Sequence, residues 1–148
     1  MRVVIQRVKY AKCHIDKKVY SEIDKGFMIL VGIKDDDTKK EVEKVAKKVS
    51  SLRVFEDKEG KMNLDLKAVS GSILSISQFT LYADVKKGNR PSFIKAMKPP
   101  VANDLYDYFN KLLEESGFIV KTGIFGADMQ IEMINDGPVT IIIDTEDL

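Results

Sequence analysis

Apolar and polar residues alternate from Val3 onward, and the alternation predicts strands through the first third of the chain. Val3, Ile5, Cys13 and Ile15 share one face of that pattern, with Val4, Val8 and Tyr10 on the other. Lys17-Lys18 reads as a turn, and Phe27-Met28-Ile29-Leu30-Val31 as a buried strand. The period then changes. Val42, Val45, Ala46, Val49 and Leu52 recur at three- and four-residue spacing, which predicts a helix over residues 38–54. Thr38 followed by Glu41 is a capping-box signature for its start.

Asp57-Lys58-Glu59-Gly60-Lys61 predicts a turn, and Gly71 opens a strong strand over residues 72–82. Strict alternation there puts Leu74, Ile76, Gln78, Thr80 and Tyr82 on one face and Ser75, Ser77, Phe79 and Leu81 on the other. Lys86-Lys87-Gly88-Asn89-Arg90-Pro91 is a basic loop. A second helix starts near Pro99-Pro100, carries Val101, Leu105, Tyr108, Phe109 and Leu112 inward, and stops at Gly117. Residues 118–144 return to strands, with Asn135-Asp136-Gly137-Pro138 as a turn between two of them. This order predicts a single α+β domain over residues 1–148, a mostly antiparallel β-sheet or barrel with two helices packed on it. Two widely spaced helices are too few for a doubly wound parallel sheet.

Composition narrows the class. The 148 residues are 44% hydrophobic and 32% charged, ordinary for a soluble globular protein. No apolar run approaches the ~20 residues that span a bilayer, and charge interrupts the first residues too early for a signal peptide. A lone cysteine forms no internal disulfide, so a cytoplasmic setting is expected. The net charge of +1 implies that any nucleic-acid contact is short and local, or spread over two subunits. The helix lysines Lys39, Lys40, Lys44, Lys47 and Lys48 read as a solvated face, with phosphate contact as the alternative.

The candidate chemistry is defined first by exclusion. Cys13 and the single histidine, His14, are neighbours on a strand and point to opposite faces, so they make a poor nucleophile–base pair. Cysteine and histidine do not cluster as a zinc site requires, so no metal is expected. Asp35-Asp36-Asp37 reads as a solvated turn before a helix. No glycine-rich phosphate loop follows a strand, so no nucleotide cofactor is expected. An enzyme built on this chain works without a histidine base, a metal or a cofactor. By themselves, Gln78 and Thr80 fit an exposed strand end, and Asn135 to Pro138 fit a plain turn.

Several segments together resemble the D-aminoacyl-tRNA deacylase family. Ser77-Gln78-Phe79-Thr80-Leu81 is similar to its S-Q-x-T-L motif, and Asn135-Asp136-Gly137-Pro138-Val139-Thr140 to its N-x-G-P-V-T motif. Ile5-Gln6-Arg7-Val8, Gly60-Lys61-Met62-Asn63-Leu64, Arg90-Pro91-Ser92-Phe93 and Thr122-Gly123 with Phe125-Gly126-Ala127-Asp128-Met129-Gln130 extend the resemblance nearly end to end. The motifs match the D-specific branch rather than the related branch acting on L-alanyl-tRNA.

The resemblance implies a homodimer with its active sites at the subunit interface, binding the 3′ acceptor end of D-aminoacyl-tRNA. It implies a cis Gly137-Pro138 bond reaching into the partner's site, where it excludes L side chains and lets glycine pass. Gln78, Phe79 and Thr80 are the implied catalytic residues. Ser77, Gly137, Pro138, Phe125, Met129 and Arg7 are the implied substrate-binding residues, with Phe125 and Met129 at the terminal adenosine and Arg7 orienting the Gly-Pro segment. Thr80 could act as nucleophile, or it could position the substrate while a ribose 2′-OH or water carries the chemistry. The missing base favours positioning.

Overall fold

A computed structural model describes residues 1–148. Its frame is one long strand, β1 (Arg2–Ile15), followed by β2 (Lys18–Ile23) and β3 (Gly26–Gly32). β1 pairs antiparallel with β3 along its first half and with β2 along its second. Helix α1 (Lys39–Ser50) and the hairpin β4 (Arg53–Glu56) and β5 (Met62–Asp65) come next. β6 (Ser72–Ser77) then lies parallel to β3, helix α2 (Val101–Glu115) follows, and β7 (Val120–Thr122) lies parallel to β6. The last strand, β8 (Gln130–Asp144), runs antiparallel along the other edge of β1. The sheet is therefore mostly antiparallel and carries two helices, as expected. It curls until β2 meets β7, where the Ser21 hydroxyl donates to the Thr122 carbonyl at 2.7 Å, giving a nearly closed barrel.

The sheet buries both faces. Val3, Ile5, Phe27, Ile29 and Val31 pack under Val42, Val45 and Val49 of α1 and Leu105, Phe109 and Leu113 of α2. Val8, Ala11, Cys13, Ile23, Met28, Leu74 and Ile76 fill the inside of the curl. Each fully buried side chain of this kind contributes about 1.5–3 kcal/mol.

β1 departs from simple alternation. Val3 and Ile5 face the helices, whereas Cys13 faces the barrel interior with Val8. The register against β8 shifts between Val8 and Ala11, and this bulge moves every later side chain to the opposite face. Burial raises the Cys13 thiol above its ordinary value. His14 points away from it and bonds Glu132 at 3.0 Å.

Both helices begin as the sequence predicts and differ in detail. Thr38 caps α1, and Glu41 returns the bond to the Thr38 backbone. The helix ends at Ser50 rather than continuing to Val54, since residues 53–56 join a strand; the Ser50 and Ser51 hydroxyls bond back to the Ala46 and Lys47 carbonyls in its last turn. In α2 the buried stripe is Ala102, Leu105, Tyr106, Phe109 and Leu113, so Val101 is exposed. Gly117, at φ +94°, closes that helix. Asp37 is no solvated turn residue. It is buried, pairs with the Met1 ammonium and accepts from the Lys34 N–H at 2.6 Å. No helix is long and apolar enough to cross a membrane.

Candidate active site

β6 is flanked by β3 and β7, and residues 73–76 are buried on both faces. The strand does not run to Tyr82. It ends at Ser77; the Gln78 N–H makes a last sheet bond to the Val31 carbonyl at 2.7 Å, and Phe79–Tyr82 form a 3-10 turn. The turn lies flat across Gly32, where a Cβ would stand 3.0 Å from Leu81 Cβ and 3.3 Å from the Gln78 carbonyl. A glycine at the end of β3 thus permits the turn that displaces Gln78, Phe79 and Thr80 from strand alternation.

The turn shapes the local chemistry. The Phe79 and Thr80 N–H groups open a 3-10 turn and donate to no protein acceptor. Phe79 is 56% exposed, and Thr80 is exposed beside it. The Gln78 side-chain amide donates to the Thr80 hydroxyl oxygen.

A cleft of about 290 Å³ opens against this turn. Ser77, Gln78 and Phe79 form one wall, and Phe125 and Met129 stand among the residues of another. Five of the residues singled out in the sequence therefore converge on one cavity, with Thr80 joined to it through Gln78. The lining is mostly apolar, and Asp128 is its only carboxylate. His14 is not part of it.

Arg7, Gly137 and Pro138 do not line this cleft. Residues 135–138 do not form a turn between two strands either; β8 is continuous from Gln130 to Asp144 and makes an excursion. Gln6 pairs with Thr140 and Val8 with Asn135, so Arg7 alone opposes the four residues from Asp136 to Val139. The excursion is fastened at its base. Asn135 accepts from the Val139 N–H and donates to the Thr140 hydroxyl, both at 3.0 Å. Arg7, 6% exposed, donates from Nε to the Asp136 carbonyl at 2.9 Å and from Nη1 to the Val54 carbonyl at 2.7 Å. The Gly137-Pro138 bond is cis. Gly137 sits at φ +134°, with Arg7 Nη2 only 3.1 Å from where a Cβ would stand, so a side chain is excluded twice over.

A sequence profile of the family described as D-Tyr-tRNA(Tyr) deacylase matches residues 4–144. The chain belongs to this family.

Within the D-Tyr-tRNA(Tyr) deacylase family, the D-aminoacyl-tRNA deacylase of Lactobacillus acidophilus is 57% identical over 144 residues, covering 97% of this chain and 99% of the relative. That of Lactobacillus helveticus is 58% identical over the same shares. The solved structure of the c-Myc DNA Unwinding Element Binding Protein superposes with a TM-score of 0.92 at 40% identity, covering 98% of this chain and 99% of that one. A probable eukaryotic D-amino acid tRNA deacylase shares the fold at a TM-score of 0.83 and 17% identity, covering 96% and 97%.

The family motifs do not contain the whole lining. Met97, Ala102 and Tyr106 also face the cleft. Tyr106 is buried, which raises its phenol above the ordinary value, and its hydroxyl donates to the Ser75 carbonyl at 2.8 Å. Ala102 and Tyr106 each stand one position from a member of the expected stripe, Val101 and Leu105, whereas Met97 precedes the helix and carries no helical spacing.

Proposed function

We propose that this protein hydrolyses the ester of D-aminoacyl-tRNA, releasing the free D-amino acid and tRNA, and that residues 1–148 form one deacylase domain of a two-subunit working unit. The observation that carries the reading is the cleft walled by Ser77, Gln78 and Phe79, against which the 3-10 turn opens with the free Phe79 and Thr80 N–H groups. An aminoacyl ester is already activated, so positioning and charge stabilisation do most of what its hydrolysis requires. Water oxygen attacks the carbonyl carbon, and the resulting oxyanion takes the Phe79 and Thr80 N–H bonds. The carbonyl–O3′ bond then breaks, and the ribose oxygen leaves with a proton. Gln78 and Thr80 position the ester, while the terminal ribose 2′-OH or a water it holds assists the proton transfer. Phe125 and Met129 seat the terminal adenosine, where soft apolar contact suits a base, and Ser77 binds substrate beside them.

The working unit is a homodimer. Gly137-Pro138 of the partner subunit completes each site, its carbonyls holding the substrate amino group so that an L side chain collides with protein. Arg7 holds that segment in place from its own subunit. Exposed apolar side chains on β8, Ile134 and Ile142, support an interface along this strand. Glycine has no side chain to exclude, so glycyl-tRNA is also a substrate. The setting is the cytoplasm, where aminoacyl-tRNA is made.

Purified protein incubated with D-tyrosyl-, L-tyrosyl- and glycyl-tRNA tests the reading through ester loss. Turnover of the D and glycyl esters alone is expected. An intact D ester overturns the deacylase assignment, and equal D and L turnover overturns the exclusion mechanism.

A further inference from the structure

The Arg90-Pro91-Ser92-Phe93 segment has no part in the cleft chemistry, yet it belongs to a defined arm beside it. Asp84 and Ser92 exchange both backbone bonds, at 2.8 and 2.9 Å, and close the neck of a loop whose far side carries Gly88 at φ +78°. Beyond the neck, the Phe93 ring meets Phe79 edge-on, with centroids 5.0 Å apart. The chain is then sewn to the end of β3 by Asp35 N–H to the Lys95 carbonyl and Met97 N–H to the Ile33 carbonyl. Met97 already lines the cleft. The arm is therefore continuous with the site wall.

Its charge sets it apart. Residues 84–98 hold five cations, Lys86, Lys87, Arg90, Lys95 and Lys98, and one carboxylate, Asp84, in a chain whose net charge is only +1. The rest of the molecule is thus net acidic. All five side chains are exposed, and none makes an ion pair. Among them stands Ile94, 82% exposed and outside both apolar clusters.

We infer that this arm grips the single-stranded nucleotides just before the terminal adenosine of the substrate tRNA. Lys87, Arg90 and Lys95 take phosphates, and Ile94 supplies an apolar seat for a base. The inference rests on the deacylase reading, because the terminal nucleotide must occupy the adjoining cleft. Unpaired cations with apolar side chains between them are what a flexible, unstacked RNA end requires, since its charge and its base faces are both exposed. A short local grip also agrees with the near-neutral charge of the whole chain.

The test compares a full substrate with a truncated one. D-Tyrosyl-tRNA has nucleotides for the arm to hold, whereas the D-tyrosyl ester of adenosine has none. For single strands each phosphate contact contributes a salt slope of about −0.7, or about fivefold in affinity at 0.1 M salt. Lys87→Gln/Arg90→Gln is expected to lower kcat/KM on D-tyrosyl-tRNA by about 25-fold and flatten its salt dependence by about 1.4. The same variant should cleave the adenosine ester like the wild type. Ile94→Asp should show the same split.

Equal loss on both substrates, or loss on neither, overturns the inference. Lys44→Gln/Lys48→Gln on α1 controls for net charge and is expected to change neither substrate; a matching loss there would move the RNA path off the arm. Fluorescence polarisation with uncharged tRNA separates this inference from the deacylase reading. A wild type that cleaves no D ester, yet loses tRNA affinity on the arm substitutions, keeps the arm and removes the reaction.

Discussion

The side-chain amide of Gln78 reaches across the turn and donates to the hydroxyl oxygen of Thr80 at 2.5 Å. An amide N–H accepts no proton, so this contact orients Thr80 without activating it. Thr80→Ala is accordingly expected to slow single-turnover hydrolysis of D-tyrosyl-tRNA by less than about tenfold. A substrate with a 2′-deoxy terminal adenosine should lose at least ~10²-fold, the range for removing a group that moves a proton. The reverse pattern would make Thr80 the nucleophile.

Arg7 bridges two backbone carbonyls, Asp136 and Val54, from a nearly buried position. Lysine has one ammonium and no planar fork, so Arg7→Lys leaves at least one of those carbonyls unpaired. The expected cost is about 1–3 kcal/mol of stability, measured by urea unfolding. The ratio of D- to L-tyrosyl-tRNA turnover should fall with it, since the Gly137-Pro138 excursion loses its support from β1. An unchanged ratio would remove Arg7 from the reading of chirality.

Ile142 is 65% exposed on β8. In the proposed dimer that side chain is covered, and Ile142→Asp should yield a monomer by light scattering with little or no D-tyrosyl-tRNA turnover. A fully active monomer would detach Gly137-Pro138 from the reaction.

Asp144 gives the fold a specific acid sensitivity. Burial pushes its carboxyl up, but the Glu146 N–H and the Arg2 guanidinium outweigh burial and hold it below the ordinary value. A lowered carboxyl stabilises the native state at pH above its unfolded value of about 3.9, and the contribution disappears as pH falls through the lower native value. Urea midpoints measured across that acid range should drop for the wild type. Asp144→Asn should be less stable at neutral pH and show a shallower drop on acidification.

What could be read from the sequence was what is decided locally. Thr38 and Glu41 cap a helix whatever surrounds them, and the apolar stripe from Val42 to Val49 followed directly. The β1 bulge carries no such mark, yet one shifted residue sends Cys13 to the face opposite Val3. The early end of β6 depends on Gly32, distant in sequence, and periodicity across Ser77 cannot register that neighbour. Asn135, Asp136, Gly137 and Pro138 are turn residues, but here they lead the chain out of a ladder and back into it. Bringing Phe125 and Met129 to the wall formed by Ser77 to Phe79 requires β7 beside β6, a long-range pairing visible beforehand only through family resemblance.

The excursion in β8 is bracketed by two stretches of ladder, Arg2 to Gln6 against Thr140 to Asp144 and Ala11 to His14 against Gln130 to Met133. Each stretch fixes its own register, so the number of residues between them can vary without shifting either. How far the segment projects from the sheet is thus decoupled from how the sheet is built. A residue added or removed there would change how far Gly137-Pro138 projects and leave the barrel intact.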